Sequence, residues 1–144
     1  MSLNSDFNDD LELTRIRKEK LAKYMELTKL PKGIVNFDED AFNKAINQSP
    51  IGILIDFYAD WCHPCKAVAP IMAQLEKEYR GRLLFGKINT DNNQRVALTY
   101  RVMSIPTFII FHNSKPIVRF VGALPKIKIK EHIEKALKII NKSN

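Results

Sequence analysis

Nowhere does this sequence hold an apolar run of the ~18 to 20 residues needed to cross a bilayer. Its opening, "MSLNSDFNDDLEL", also lacks a charged segment followed by an apolar one. No export signal is therefore expected, and the chain is read as globular and cytoplasmic. Cysteine is scarce, with two in 144 residues. Two thiols cannot alone supply the four ligands of a structural zinc site; His63, His112 or His132 would have to complete it. One of these sits between the cysteines, one at a predicted strand end and one far along the last predicted helix, a spacing that argues against a metal. Repeats, linkers and low-complexity stretches are absent as well. With 45% hydrophobic residues, what remains is enough for one ordinary core plus an extra segment.

The net charge of +7 is unevenly spread. Residues 1–30 carry six acidic and six basic side chains and cancel, whereas from Lys115 onward eight Lys or Arg stand against two Glu. A basic tail invites a nucleic-acid reading, but no aromatics interleave with it beyond Phe120 and no RNA or DNA module is recognisable. Ile129, Ile133, Leu137 and Ile140 recur at helical spacing, which leaves Lys128, Lys130, Lys135, Lys138 and Lys142 mostly on a wet face. Neither nucleic acid nor membrane is expected as a partner, and a monomer is expected.

Along the chain, a helix is predicted from Asp9, with Asp9 or Asp10 as cap, to Leu30, where Pro31 and Gly33 stop it. Leu13, Ile16, Tyr24 and Leu27 share one face with Lys20 intruding, and with that stop residues 1–33 read as an arm attached to a domain over 34–144. Beyond it the pattern predicts a strand at Ile34–Phe37, a helix at Asp38–Gln48 and a strand at Ile51–Tyr58. That last run is apolar enough to be central and covered on both faces. A helix to about Tyr79 follows the cysteines. Then come a strand at Leu83–Asn89, a short helix near Gln94–Tyr100, strands at Thr107–Phe111 and Ile117–Val121, and a helix from about Lys126. Strands that alternate with helices and then run consecutively indicate an α/β chain with a mixed sheet and helices on both faces.

Both cysteines fall in "FYADWCHPCKAVAP", between the central strand and the next helix. A metal site or a pair of inert core thiols remains open, but this position favours a redox pair. The first sulfur lies at the helix N-terminus, where free amides and the dipole stabilise a thiolate, so Cys62 is the expected nucleophile, exposed and activated. Three residues on, Cys65 shares its helical face and can close a ring after Cys62 has attacked a disulfide. A second group stands out in "ILIDFY": burial of Asp56 in that apolar run would raise its pKa toward neutrality, unless its side chain merely points outward.

The pieces "IDFYADWCHPCKAVAP", "GKINTD", "SIPTFIIF" and "FVGAL", in that order and spacing, resemble the thioredoxin family from Ile34 to the last helix. The resemblance implies a thioredoxin fold and a thiol-disulfide oxidoreductase that reduces protein disulfides. By the same resemblance Asp56 deprotonates Cys65, through water, with Lys87 as its charge partner. Pro106 becomes a cis-proline facing the disulfide and turning the Ile105 backbone toward a substrate strand. Trp61, Ile105, Gly122 and Ala123 become an apolar rim for an extended peptide, though Trp61 could be ordinary packing. Pro70 matches a kink in the following helix. The dithiol carries the electrons, so no cofactor is expected. The implied partners are disulfide-containing proteins and a flavin-dependent thioredoxin reductase fed by NADPH or ferredoxin.

Three positions depart from the family's pattern. His63 stands with Pro64 where Gly-Pro is usual, Tyr58 replaces a common Trp, and "HNSKP" lacks the usual hairpin glycine. A protonated His63 would favour the neighbouring thiolate; a neutral one would only shape substrate contact. An isomerase or oxidase, or a binding module that uses the amino-terminal helix or the basic tail, is the rival reading.

Overall fold

The computed structural model describes residues 3–143. Its elements follow as α1 (Leu3–Thr28), β1 (Ile34–Phe37), α2 (Glu39–Gln48), β2 (Gly52–Tyr58), α3 (His63–Tyr79), β3 (Leu83–Asn89), α4 (Gln94–Thr99), β4 (Thr107–His112), β5 (Lys115–Val121) and α5 (Lys126–Lys142). The chain divides into two compact units between Leu30 and Pro31.

In the first unit, α1 runs for 26 residues and begins at Leu3, so Asp9 and Asp10 lie inside the helix and do not cap it. No Gly or Pro interrupts residues 3–8, so the helix already begins before the acidic pair. Arg15 bridges Glu12 and Glu19 one turn to either side, while Leu13, Leu21, Tyr24 and Met25 remain exposed.

The second unit is built on a five-stranded sheet in the order β1-β3-β2-β4-β5. β2 pairs in parallel with β3 and antiparallel with β4, as β3 does in parallel with β1 and β4 antiparallel with β5. Period-2 alternation then sorts the side chains. Leu54, Phe85, Phe108 and Ile110 pack with Val68, Met72 and Leu75 of α3 and with Ile129, Ile133 and Leu137 of α5. Ile53, Ile55, Phe57, Ile88 and Phe111 pack on the opposite face with Phe42 and Ile46 of α2 and Val96 of α4. This is the expected mixed sheet covered on both faces, with β2 at its centre. Asp56 shares the parity of Leu54 and therefore looks toward the face of α3.

Two local features hold this arrangement. Gly86 leaves the space that the Phe37 ring fills, for a Cβ there would lie 2.2 Å from Phe37 Cε2 and 3.1 Å from Ile55 Cδ1. Gly86→Ala is therefore expected to cost ~1 to 3 kcal/mol in urea denaturation. Adding Phe37→Leu should recover part of that loss, and no recovery would mean that the ring is not what the glycine accommodates. The glycine-free hairpin is held differently. Asn113 and Ser114 take φ of 52° and 68°, the left-handed pair that a two-residue hairpin turn needs. Ser114 Oγ reaches Asn47 Oδ1 at 2.5 Å and Ile46 O at 3.2 Å, tying the turn to the end of α2.

Candidate active site

Cys62 is the cap of α3. Its backbone is extended (φ −88°, ψ 108°), and its Sγ accepts from the Cys65 N–H at 3.3 Å. His63 opens the helix, and Pro64 occupies the first turn, where its missing N–H costs nothing. The Cys62 sulfur is thereby set among the free amides at the positive end of the helix dipole. The two cysteines are joined as a disulfide, with Cα atoms 5.3 Å apart. Pro70 sits inside α3, where it cannot donate to the Lys66 carbonyl one turn back.

The expected difference in exposure is not found. Cys62 is 3% exposed and Cys65 5%, both packed with Ala59, Tyr58 and Ile105. In the disulfide form that apolar surround covers both cysteines. What distinguishes them is the cavity that each one lines.

Cys62 lines an apolar groove of about 660 Å³, together with Trp61, His63, Pro64, Thr90, Val102, Met103, Ser104 and Ile105. The Ile105 carbonyl oxygen lies 3.8 Å from Cys62 Sγ, and the Ile105-Pro106 bond is cis. Trp61 is 66% exposed, so its ring is surface rather than core, and its Nε1 donates to Asp91 Oδ2 at 2.9 Å. Asp91 is fixed in turn, because its N–H donates to Asn89 Oδ1 at 2.9 Å. Gly122 donates its N–H to the Pro106 carbonyl at 2.8 Å with φ of 95°. Neither Gly122 nor Ala123 is among the described residues that wall the groove.

Cys65 lines a separate pocket of about 210 Å³ with Asp56, Tyr58, Ala59, Asp60, Lys66, Ala69 and Lys87. Asp56 and Lys87 are register partners on adjacent strands, and they therefore share a face. Burial pushes the Asp56 carboxyl up to about 7, while the Lys87 charge pulls it down. Asp56 Oδ1 is buried without a hydrogen-bond partner. The Lys87 ammonium stands 5.1 Å from the centre of the Tyr58 ring.

Sequence reasoning missed several of these groups. Thr90, Val102, Met103 and Ser104 come from two loops, and Met103, at 92% exposed, is the most open large apolar side chain on the groove. Its signal was position: a bare apolar residue three places before Pro106. Asp91 was legible in "GKINTD", but its partner Trp61 lies 30 residues away. Among the described residues, no three His, Cys, Asp or Glu gather in a set able to hold a metal ion.

Comparisons with known proteins converge on the same region. A family profile described as thioredoxin matches residues 33–135. The chain is similar to a thioredoxin of Buchnera aphidicola subsp. Acyrthosiphon pisum, with 37% identity over 101 residues, covering 70% of this chain and 94% of that protein. It is similar to thioredoxin 1 of Nostoc sp., with 37% identity over 99 residues, covering 69% and 92%. A chloroplastic M-type thioredoxin of Chlamydomonas reinhardtii is 38% identical over 105 residues, covering 73% of this chain and 74% of that one.

Proposed function

The chain belongs to the thioredoxin family and is a thiol-disulfide oxidoreductase, and from that premise we propose how its residues divide the work. Cys62, as thiolate, attacks one sulfur of a substrate disulfide, forming a mixed disulfide and releasing the other sulfur as thiolate. Asp56 then takes the proton from Cys65, through water. The Cys65 thiolate attacks Cys62, releasing the second substrate sulfur and leaving the Cys62-Cys65 disulfide. Two electrons have passed to the substrate. The observation that carries this division is that the two sulfurs line different cavities, Cys62 an apolar groove and Cys65 a pocket with a buried carboxylate.

In this reading Trp61, His63, Pro64 and Ile105 form the surface against which an extended peptide lies, its backbone pairing with that of Ile105 beside Pro106. Gly122 and Ala123 extend the rim beyond the groove, held to it through the Pro106 carbonyl. Family membership implies disulfide substrates and a reductase. A flavin-dependent thioredoxin reductase is proposed as the source of electrons, acting on a monomer. No helix among the described residues is long and apolar enough to cross a membrane. We place the protein in the cytoplasm, and similarity to chloroplastic relatives makes a plastid the competing location. Residues 34–144 are taken as the redox domain and residues 1–33 as an extension that contributes no chemical group.

The test is insulin reduction by dithiothreitol with and without the full-length protein. Catalytic amounts are expected to shorten the onset of turbidity several-fold. No acceleration by well-folded protein would favour the binding-module reading.

A further inference from the structure

Asp56 and Lys87 are directly opposed across β2 and β3, yet among the described residues they form no ion pair, and Asp56 Oδ1 has no partner at all. An ammonium next to a buried carboxylate ordinarily closes on it, since the attraction grows as water is excluded. Here the Lys87 Nζ lies instead over the face of Tyr58, 5.1 Å from the ring centre. Tyr58 is two positions beyond Asp56 on β2 and shares its face, because period-2 alternation puts positions 54, 56 and 58 on one side. Its hydroxyl points away from that site, lying 3.5 Å from Asn36 Oδ1 on β1, so the ring face and not the hydroxyl meets the ammonium.

We propose that the Tyr58 ring is a positioning surface for Lys87, holding the ammonium by its π-face and off the Asp56 carboxylate, so that the carboxylate stays free to accept a proton. The attraction of a cation for the ring face supplies the holding force. The proposal deepens the reading of Asp56 as the base and rests on it. Lys87 from β3, Lys66 and Cys65 from α3, Asp60 from the turn after β2, and Tyr58 itself are the titratable groups around Asp56. Its register partner on β4, Phe108, is apolar. Lys87 is the charge that acts on Asp56, and it lowers the carboxyl against the larger effect of burial. Were Lys87 released from the ring, it would approach Asp56 and lower it further, making a weaker base.

The experiment follows the Asp56 carboxyl by carbon-13 NMR in the oxidised full-length protein, where neither cysteine titrates and the reading is not coupled to theirs. Tyr58→Leu is expected to lower the midpoint by about half a pH unit or more, roughly 3-fold in proton affinity. Tyr58→Phe keeps the ring and should leave the midpoint in place. In a Lys87→Met background, Tyr58→Leu should produce no such fall. An equal fall in both backgrounds would show that the ring acts by shutting out water, and would overturn the proposal, as would an unmoved midpoint in Tyr58→Leu. The pH dependence of mixed-disulfide resolution in the same variants tests the base separately. If the resolution rate ignores a shifted Asp56 midpoint, Asp56 is not the base although Tyr58 still positions Lys87.

Discussion

Cys62→Ser is expected to show no insulin reduction above the dithiothreitol background, a loss of at least about 10³-fold, while Cys65→Ser attacks a disulfide once and stays linked to it. The asymmetry does not come from exposure, since both cysteines are nearly covered in the disulfide form. It comes from what surrounds each sulfur. Cys62 caps α3, receives the Cys65 N–H, and opens on the apolar groove lined by Trp61, Met103 and Ile105. Cys65 lies one helical turn in and faces a smaller pocket with Asp56. In the Cys65→Ser variant the mixed disulfide cannot be resolved internally, because the serine hydroxyl does not displace a thiolate. Denaturing, non-reducing electrophoresis should show the linked species with Cys65→Ser and not with Cys62→Ser. The reverse pattern, or faster alkylation of Cys65 than of Cys62 in the reduced protein, would reassign the nucleophile.

Much of this architecture was legible because its determinants are local. The run "GILIDFY" could only be a central strand, and its period of two separates Asp56 from Ile55 and Phe57 without any knowledge of what covers the sheet. Cysteine at a strand-to-helix junction, followed by proline in the first turn, likewise specifies a cap from neighbouring residues alone. The groove was harder to read. Thr90 and the Val102 to Ser104 segment reach Cys62 only through the order of the strands, so no window of sequence joins them. The resting place of the Lys87 ammonium was beyond reach for the same reason: register makes Lys87 and Asp56 partners, but Tyr58 decides where the charge sits. The start of α1 was misread because a good acidic cap at Asp9 competes with a preceding segment that nothing breaks. The hairpin without glycine had no visible remedy, since the anchor for Ser114 is 67 residues away at Asn47.

Asp56→Asn should slow turnover at pH 7 by ~10-fold or more and at the same pH make the oxidised protein more stable, two effects of opposite sign from one carboxylate. The kinetic effect follows from loss of the one buried acid among the described residues that line the Cys65 pocket, and it should shrink as pH rises and the Cys65 thiol ionises unaided. The stability effect follows from linkage. In the folded protein burial holds the Asp56 carboxyl at about 7, against 3.8 for the free group. The folded state therefore binds the proton more tightly, and stability declines as pH rises from about 4 to about 7 and then levels off. Above that window the charge is buried in the folded state at a cost of up to about 4 kcal/mol, which asparagine does not incur. Below about 4 the carboxyl is neutral in both states, and the two proteins should converge. Urea denaturation of the oxidised forms at pH 4 and pH 8 checks the sign, with the advantage of Asp56→Asn confined to the higher pH. An advantage equal at both pH values would trace the effect to packing rather than charge. Unchanged turnover together with lower stability would make Asp56 a structural residue, leaving the proton of Cys65 to another acceptor in the pocket.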